Sequence, residues 1–392
     1  MAATIPEFMG YLRPDGKAGA RNFTAVIPSV TCANDVALAI CHQVQGTVTY
    51  LHHQGCCQLP PDLDRVTETL ISIGKSPNVA NVLVVSLGCE GTDHARMVEE
   101  IAAAGKHVEI IRIQELGGVS KAIQAGTDFA RRLVIEASGY QRTPCPISKV
   151  VMAIKCGGSD ATSGMASNCV IGYVADKLVD LGATVIFGET TEFIGGEHLL
   201  ARRGATPQVG EKILQIVDEM EKRAKSLNCD MRKGQPTPGN IAGGLSTIEE
   251  KSLGAIMKSG SRPIQGVLDY PQAVTTENGL WIKDTPGREP EILTGMACSG
   301  AQFMMFSTGR GAPQGFPSMP VIKICGNPHT YARMSEDMDI NAGLIITGEK
   351  TIEEVGEEAF QKMLRVLSGE MTKNEAIQYF SSIDIHMLGP VI

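Results

Sequence analysis

Short apolar runs of strand type alternate with longer stretches of helical periodicity along almost the whole chain, and that alternation admits few architectures. FTAVIPSV from Phe23, VLVVSL from Val82, HVEIIRI from His107, KVVMAI from Lys149 and TVIFG from Thr184 read as strands, each ending in a polar or glycine-rich loop. Between them, residues 62–74, 117–137, 166–181 and 209–225 repeat apolar side chains at three and four spacing, the period of a helix with one buried face. SRPIQGVL, AQFMMFST, MPVIKICG and a helical stretch from Ile352 continue the theme. Strand, loop and helix in repetition give parallel strands joined by crossover helices. The expected fold is therefore α/β, two Rossmann-like parallel-sheet domains with helices on both faces. RTPCPIS at Arg142 to Ser148 reads as a linker between a first domain, residues 1–143, and a second, residues 147–392. RKGQPTPGN at 232–240 reads as a long inserted loop, because proline breaks both helix and ladder.

The 392 residues, 43% of them hydrophobic, suffice to bury the cores of about two or three domains. The net charge of -8 and the lack of a dense Lys/Arg run argue against nucleic acid as a partner. Nowhere does an apolar run reach the roughly 18 to 20 residues of a membrane span, and the N-terminus has no signal-type apolar segment. A cytoplasmic protein is expected. The eleven cysteines are an odd number without the compact spacing of a disulfide framework, so reduced thiols, some of them metal ligands, fit better.

Parallel sheets place their chemistry in the loops after the carboxyl ends of strands, and three such loops carry cysteine beside glycine. They are HHQGCCQL at His52 to Leu59, SLGCEGTD at Ser86 to Asp93, and KCGGSDATSG at Lys155 to Gly164. Glycine lets backbone approach a ligand closely, and a following helix N-terminus favours thiolate. Cys56, Cys89 and Cys156 are thus candidate ligands of one metal centre, an iron-sulfur cluster or zinc by thiolate softness. The plain alternative for each is a small buried hydrophobe at a tight strand end. Asp160, Ser163 and Glu189 follow strands and suit substrate hydroxyls or a divalent metal, with helix capping as the alternative for Asp160. Glu192 and Glu197 stand in the same loop as Glu189. FSTGRGAPQG flanks Arg310 with glycines and adds Thr308, a cradle in which a guanidinium grips a carboxylate through a bidentate fork. The acidic SEDMDINAG from Ser335 lacks the ligand series of a calcium loop and reads as a solvated turn.

Taken together and in order, GYLRPDGKAGARN, HHQGCCQL, SLGCE, CGGSDATSGMASN, GETTEFIGGEHLLARR, TPGNIAGGLSTIEEKSLG, STGRGAPQG and SEDMDINAG resemble the altronate and galactarate dehydratase family, from about Gly10 to about Gly369. The resemblance implies a hydro-lyase, iron or manganese dependent, that converts a sugar acid to a 2-keto-3-deoxy acid. A related branch splits sulfite from sulfolactate. Family members often carry a small N-terminal antifreeze-like domain, whereas this chain begins directly at the catalytic region, which implies a separately encoded small subunit or none. Cys57 stands where the family commonly has glycine.

Elimination of water from a 2,3-dihydroxy acid needs a base for the proton alpha to the carboxylate, assistance to the departing hydroxyl, and cations for the carboxylate. The sequence supplies His52 and Lys251 as candidate bases, Arg310 with Thr308 for the carboxylate, Asp160, Ser163 and Glu189 for hydroxyls, and Cys56, Cys89 and Cys156 for iron, as a cluster or mononuclear Fe2+, with Mn2+ as the other choice. Lys251 sits in a helical stretch where a solvent-facing lysine is the ordinary alternative. The expected partners are a small hydroxy acid, a small antifreeze-like subunit and further copies of the chain in a homo-oligomer. Two rival classes are an oxidoreductase, disfavoured because FTAVIPSVTCAND has no glycine where a dinucleotide fingerprint needs it, and a non-catalytic sugar-acid binder.

Overall fold

The computed structural model describes residues 6–274, 278–380 and 383–389. In chain order the strands are β1 (Glu7–Leu12), β2 (Ala18–Gly19), β3 (Phe23–Pro28), β4 (Thr47–Thr49), β5 (Val79–Ser86), β6 (His107–Arg112), β7 (Thr143–Pro146), β8 (Val151–Cys156), β9 (Thr184–Phe187), β10 (Ile264–Leu268), β11 (Gly279–Lys283), β12 (Phe303–Thr308), β13 (Val321–Cys325) and β14 (Ile340–Asn341). The helices used below are α1 (Asn34–Gln43), α2 (Pro60–Gly74), α3 (His94–Ala103), α4 (Val119–Ala137) and α5 (Asn168–Asp180). Eight of the strands and three of these helices coincide with the runs read from the sequence.

The first sheet has the order β4-β3-β5-β6, and every pairing in it is parallel. All eight residues of β5 are buried, which accounts for its nearly continuous apolar run: helices cover both faces, so alternation is lost. One face packs on α1 and α4 through Val26, Leu83, Val85, Ile40 and Leu133. The other packs on α2 and α3.

The second sheet is seven-stranded, in the order β10-β11-β9-β8-β12-β13-β14, again with parallel pairings. From β8 the chain moves to β9 on one side and later returns to β12 on the other, so the order reverses between β8 and β12. Such a switch point opens a crevice at the carboxyl ends of the two strands. A hydrophobic cluster on one face joins Ala153, Ile186 and Met304 of this sheet to Val82, Val84, Leu70 and Met97 of the first, with Ile292 and Met296 between them. The two sheets therefore share a core.

Two proline-rich stretches differ from the reading above. The expected linker contains β7, which pairs antiparallel with β1 (Phe8 opposite Cys145) in a small third sheet, and β2 pairs on the other side of β1. Its prolines are tolerated because β7 is an edge strand. Arg142 ties it down further, donating to the carbonyls of Met9, Ala20 and Leu367. The expected inserted loop is broken into two short helices, Met231–Gly234 and Pro238–Ala242. Thr237 caps the second and Pro238 occupies its first turn, where a missing N–H costs nothing. Among the described residues no helix is long and apolar enough to cross a membrane.

Candidate active site

Five buried side chains meet at the carboxyl end of β8. Lys155 and Cys156 end that strand; Glu189 and Glu192 come from the loop after β9; Lys258 comes from the turn after the helix Ile248–Ile256. Glu189 has φ +72, a left-handed conformation costly for a residue with a side chain. Its N–H donates to Thr285 Oγ1 at 2.9 Å, and its carboxylate turns back beneath β8 to accept the Cys156 N–H at 2.9 Å. Lys155 Nζ lies 2.6 Å from Glu189 Oε1, and Lys258 Nζ contacts Glu189 Oε2. Lys258 Nζ also lies 3.0 Å from Cys156 Sγ and 3.3 Å from Glu192 Oε2, which accepts from Cys156 Sγ at 2.7 Å. Lys251 Nζ, 3.4 Å from Glu192 Oε1 and 2.9 Å from Gln235 Oε1, completes the set.

Burial works against every charge here, and mutual pairing reverses it. The Glu192 carboxyl, raised by burial, is pulled down to about 2 by Lys258, Lys251 and Lys155. Lys155 and Lys258, which burial alone would discharge, are held protonated by Glu189 and Glu192. Burial and the two carboxylates push the Cys156 thiol well up, so it is a neutral S–H donor. Lys155 and Lys258 thus face Glu189 and Glu192, and Glu289 Oε1 lies 3.9 Å from Lys155 on the cleft side.

Above this cluster opens a cleft of about 470 Å³ lined by Lys155, Cys156, Glu192, Lys251, Arg288 and Arg310 among others. Arg310 is exposed at its mouth and forms no ion pair among the described residues; its N–H donates to Gly158 O at 2.8 Å. Arg288 is engaged by Glu291 and Asp384, both at 2.9 Å. Glu289 lines the cleft as well, so the cation it offers to an anion is Arg310.

The structure sorts the residues singled out from the sequence. Cys156, Glu189, Lys251 and Arg310 gather at this site, and Lys251 points inward with its side chain only 12% exposed, not to solvent. Thr308 is buried one layer back, its Oγ1 accepting the N–H of Gly311 and of Ala312 at 3.0 Å, so it shapes the turn that presents Arg310. Asp160 and Ser163 are likewise structural: Asp160 accepts from Thr162 Oγ1, the Ser163 N–H and Asn327 Nδ2, while Ser163 Oγ takes the Asp160 N–H. Capping, the alternative for Asp160, is what the geometry shows. His52 is fully buried with both ring nitrogens used, Nε2 against Pro28 O and Nδ1 against the Gln54 N–H, and burial lowers it to about 4; this is a neutral structural histidine, without access to substrate.

The three cysteines do not converge. Among the described residues, Cys156, Glu189 and Glu192 form the one set of three such donors whose ligand atoms all lie within 4.8 Å of one another. Cys56 and Cys89 are exposed on neighbouring loops of the first sheet, Cys56 Sγ lying 3.7 Å from Cys57 Sγ and Cys89 Sγ accepting from Gln114 Nε2 at 3.2 Å. Lys155 and Lys258 were not anticipated. The signal for Lys258 was its spacing: it follows Lys251 by two helical turns, which places both on one side of the segment.

Comparison with known proteins places the chain in a family. Residues 147–389 match the family model of the D-galactarate/altronate dehydratase C-terminal region, and residues 10–138 that of the D-galactarate dehydratase/altronate hydrolase second domain. The chain is 40% identical to the (2R)-sulfolactate sulfo-lyase subunit beta of Chromohalobacter salexigens, over 94% of this chain and 95% of that one. It is 35% identical to the galactarate dehydratase (L-threo-forming) of Escherichia coli and 32% identical to the altronate dehydratase of Bacillus subtilis, over 94% of this chain and 76% and 75% of theirs. Relatives of both kinds are lyases. The chain belongs to the D-galactarate/altronate dehydratase family.

Proposed function

We propose that this chain is the catalytic subunit of a carbon-oxygen lyase that removes water from a sugar acid of altronate or galactarate type to give a 2-keto-3-deoxy acid. The observation that carries this reading is the meeting of Lys251, Glu192 and Arg310 in one cleft at the switch point of the second sheet. Arg310, without an ion-pair partner among the described residues, receives the carboxylate through a planar fork. Lys251 takes the proton alpha to that carboxylate and returns it to the departing hydroxyl, which leaves as water. The enol that remains tautomerises to the 2-keto acid.

A second reading has sulfite as the leaving group, with sulfolactate as substrate; the 40% identity across nearly the full length of a sulfo-lyase subunit supports it. That relative's designation as a subunit also supports a smaller companion chain here. The test is a side-by-side assay of altronate, galactarate and (2R)-sulfolactate, scoring 2-keto acid and sulfite separately. 2-Keto acid from the sugar acids upholds the first reading, sulfite together with pyruvate from sulfolactate and no product from the sugar acids upholds the second, and neither product from any of the three sinks both. The iron or manganese implied by the resemblance belongs to this proposal, while each step above is performed by side chains of the chain itself. Anaerobic purification followed by iron, manganese and sulfide analysis shows whether a metal travels with the protein.

A further inference from the structure

A thiol and two carboxylates within 4.8 Å of one another are, by donor chemistry, a set that holds zinc, iron or manganese. We infer that the Cys156–Glu189–Glu192 set is a cation site already filled by the ammonium group of Lys258, so that the metal implied by the family resemblance is not held there.

The geometry is that of an occupied site. Lys258 Nζ touches all three donors, Cys156 Sγ at 3.0 Å, Glu192 Oε2 at 3.3 Å and Glu189 Oε2 more closely. The outward oxygens are taken as well: Glu189 Oε1 by Lys155 at 2.6 Å and Glu192 Oε1 by Lys251 at 3.4 Å. Each of the four carboxylate oxygens therefore has a lysine nitrogen beside it. Cys156 Sγ, meanwhile, donates its proton to Glu192 and is no thiolate ligand.

A divalent ion entering this space would face the ammonium groups of Lys155 and Lys258 at contact range, with little water to screen them, since Lys155, Glu189 and Lys258 are at most 1% exposed. Lys258 has no simple way to withdraw. It sits in the short turn Met257–Ser259, with its side chain fully buried and no solvent to move into. An ammonium is a fixed point charge with three donors, here matched to three acceptors. It does the electrostatic work a metal would do in holding two buried carboxylates together.

The inference concerns cation occupancy and does not depend on which acid is the substrate. Its test is cobalt(II) uptake by the whole chain, read as equivalents bound per chain after dialysis and as thiolate-to-cobalt charge-transfer absorption. Wild type and the Cys156→Ser and Glu192→Gln variants are expected to bind equal amounts, with no absorption that depends on Cys156. Lys258→Met, which removes the ammonium but keeps an unbranched side chain, is expected to gain one equivalent together with the absorption band, and Lys258→Met/Cys156→Ser to lose the band. Loss of one equivalent in Cys156→Ser against wild type would overturn the inference, whether or not the Lys258 variant folds. So would a folded Lys258→Met protein that takes up no more cobalt than wild type.

Discussion

Arg310 differs from the other cations of the cleft in forming no ion pair among the described residues, so an anion arriving there breaks no existing pair. Arg310→Lys keeps the charge and loses the fork, and kcat/KM is expected to fall by about 2 kcal/mol, roughly thirty-fold. Arg131→Lys, at an exposed position paired only with Asp128, serves as the control and should leave turnover unchanged. Equal kinetics in the two variants would return Arg310 to the surface. Glu192→Gln tests the buried cluster: it strands Lys258 and Lys251 beside an uncharged amide, and breaking such a pair costs about 3 kcal/mol or more, to be read as a lower urea midpoint. His52 sets an acid limit. Its folded value of about 4 lies below the ordinary 6.5, so the unfolded chain binds the extra proton between those values. The stability tied to neutral His52 is therefore fully present above pH 6.5 and lost as pH falls toward 4, by at most about 3 kcal/mol. Replacing His52 by Gln should flatten that part of the stability profile in denaturant titrations; an unchanged slope would show that other groups set it.

At the scale of elements, strand and helix periods were readable because each is a local property of the sequence. Glycine-rich strand ends drew attention to Cys156 and Arg310 for the same reason, and the structure places both at the cleft. The ion pairs were not readable: Lys258 reaches Glu192 across 66 residues, by way of a helix laid over the loop after β9. The turn carrying Lys258 is held by a close approach to α5, where the Cβ of an alanine at Gly172 would come within 2.3 Å of Met257 O. That neighbour is backbone and cannot rotate away. Gly172→Ala is therefore expected to destabilise by about 1–3 kcal/mol and to lower kcat through the displaced Lys258; wild-type thermal stability would show that the approach is looser than described. RTPCPIS misled because proline forbids a central strand but not an edge strand, and only the presence of β1 alongside decides which it is.

For the whole molecule, the shared hydrophobic cluster is the governing feature. Opening one sheet would strip apolar cover from the other, so both should melt together. Calorimetry of the full chain is expected to give one transition with matching calorimetric and van't Hoff enthalpies, and two resolved peaks would contradict the shared core. The polar ties point the same way: Arg21 forms a buried bidentate pair with Glu375 and also donates to the carbonyl of Val366. On the ribosome Arg21 emerges 354 residues ahead of Glu375, and at about 5–20 residues per second it waits tens of seconds for its partner. Through much of that wait, until residues 292–304 have emerged to cover it, the apolar face of α2 stands open to solvent and to other nascent chains.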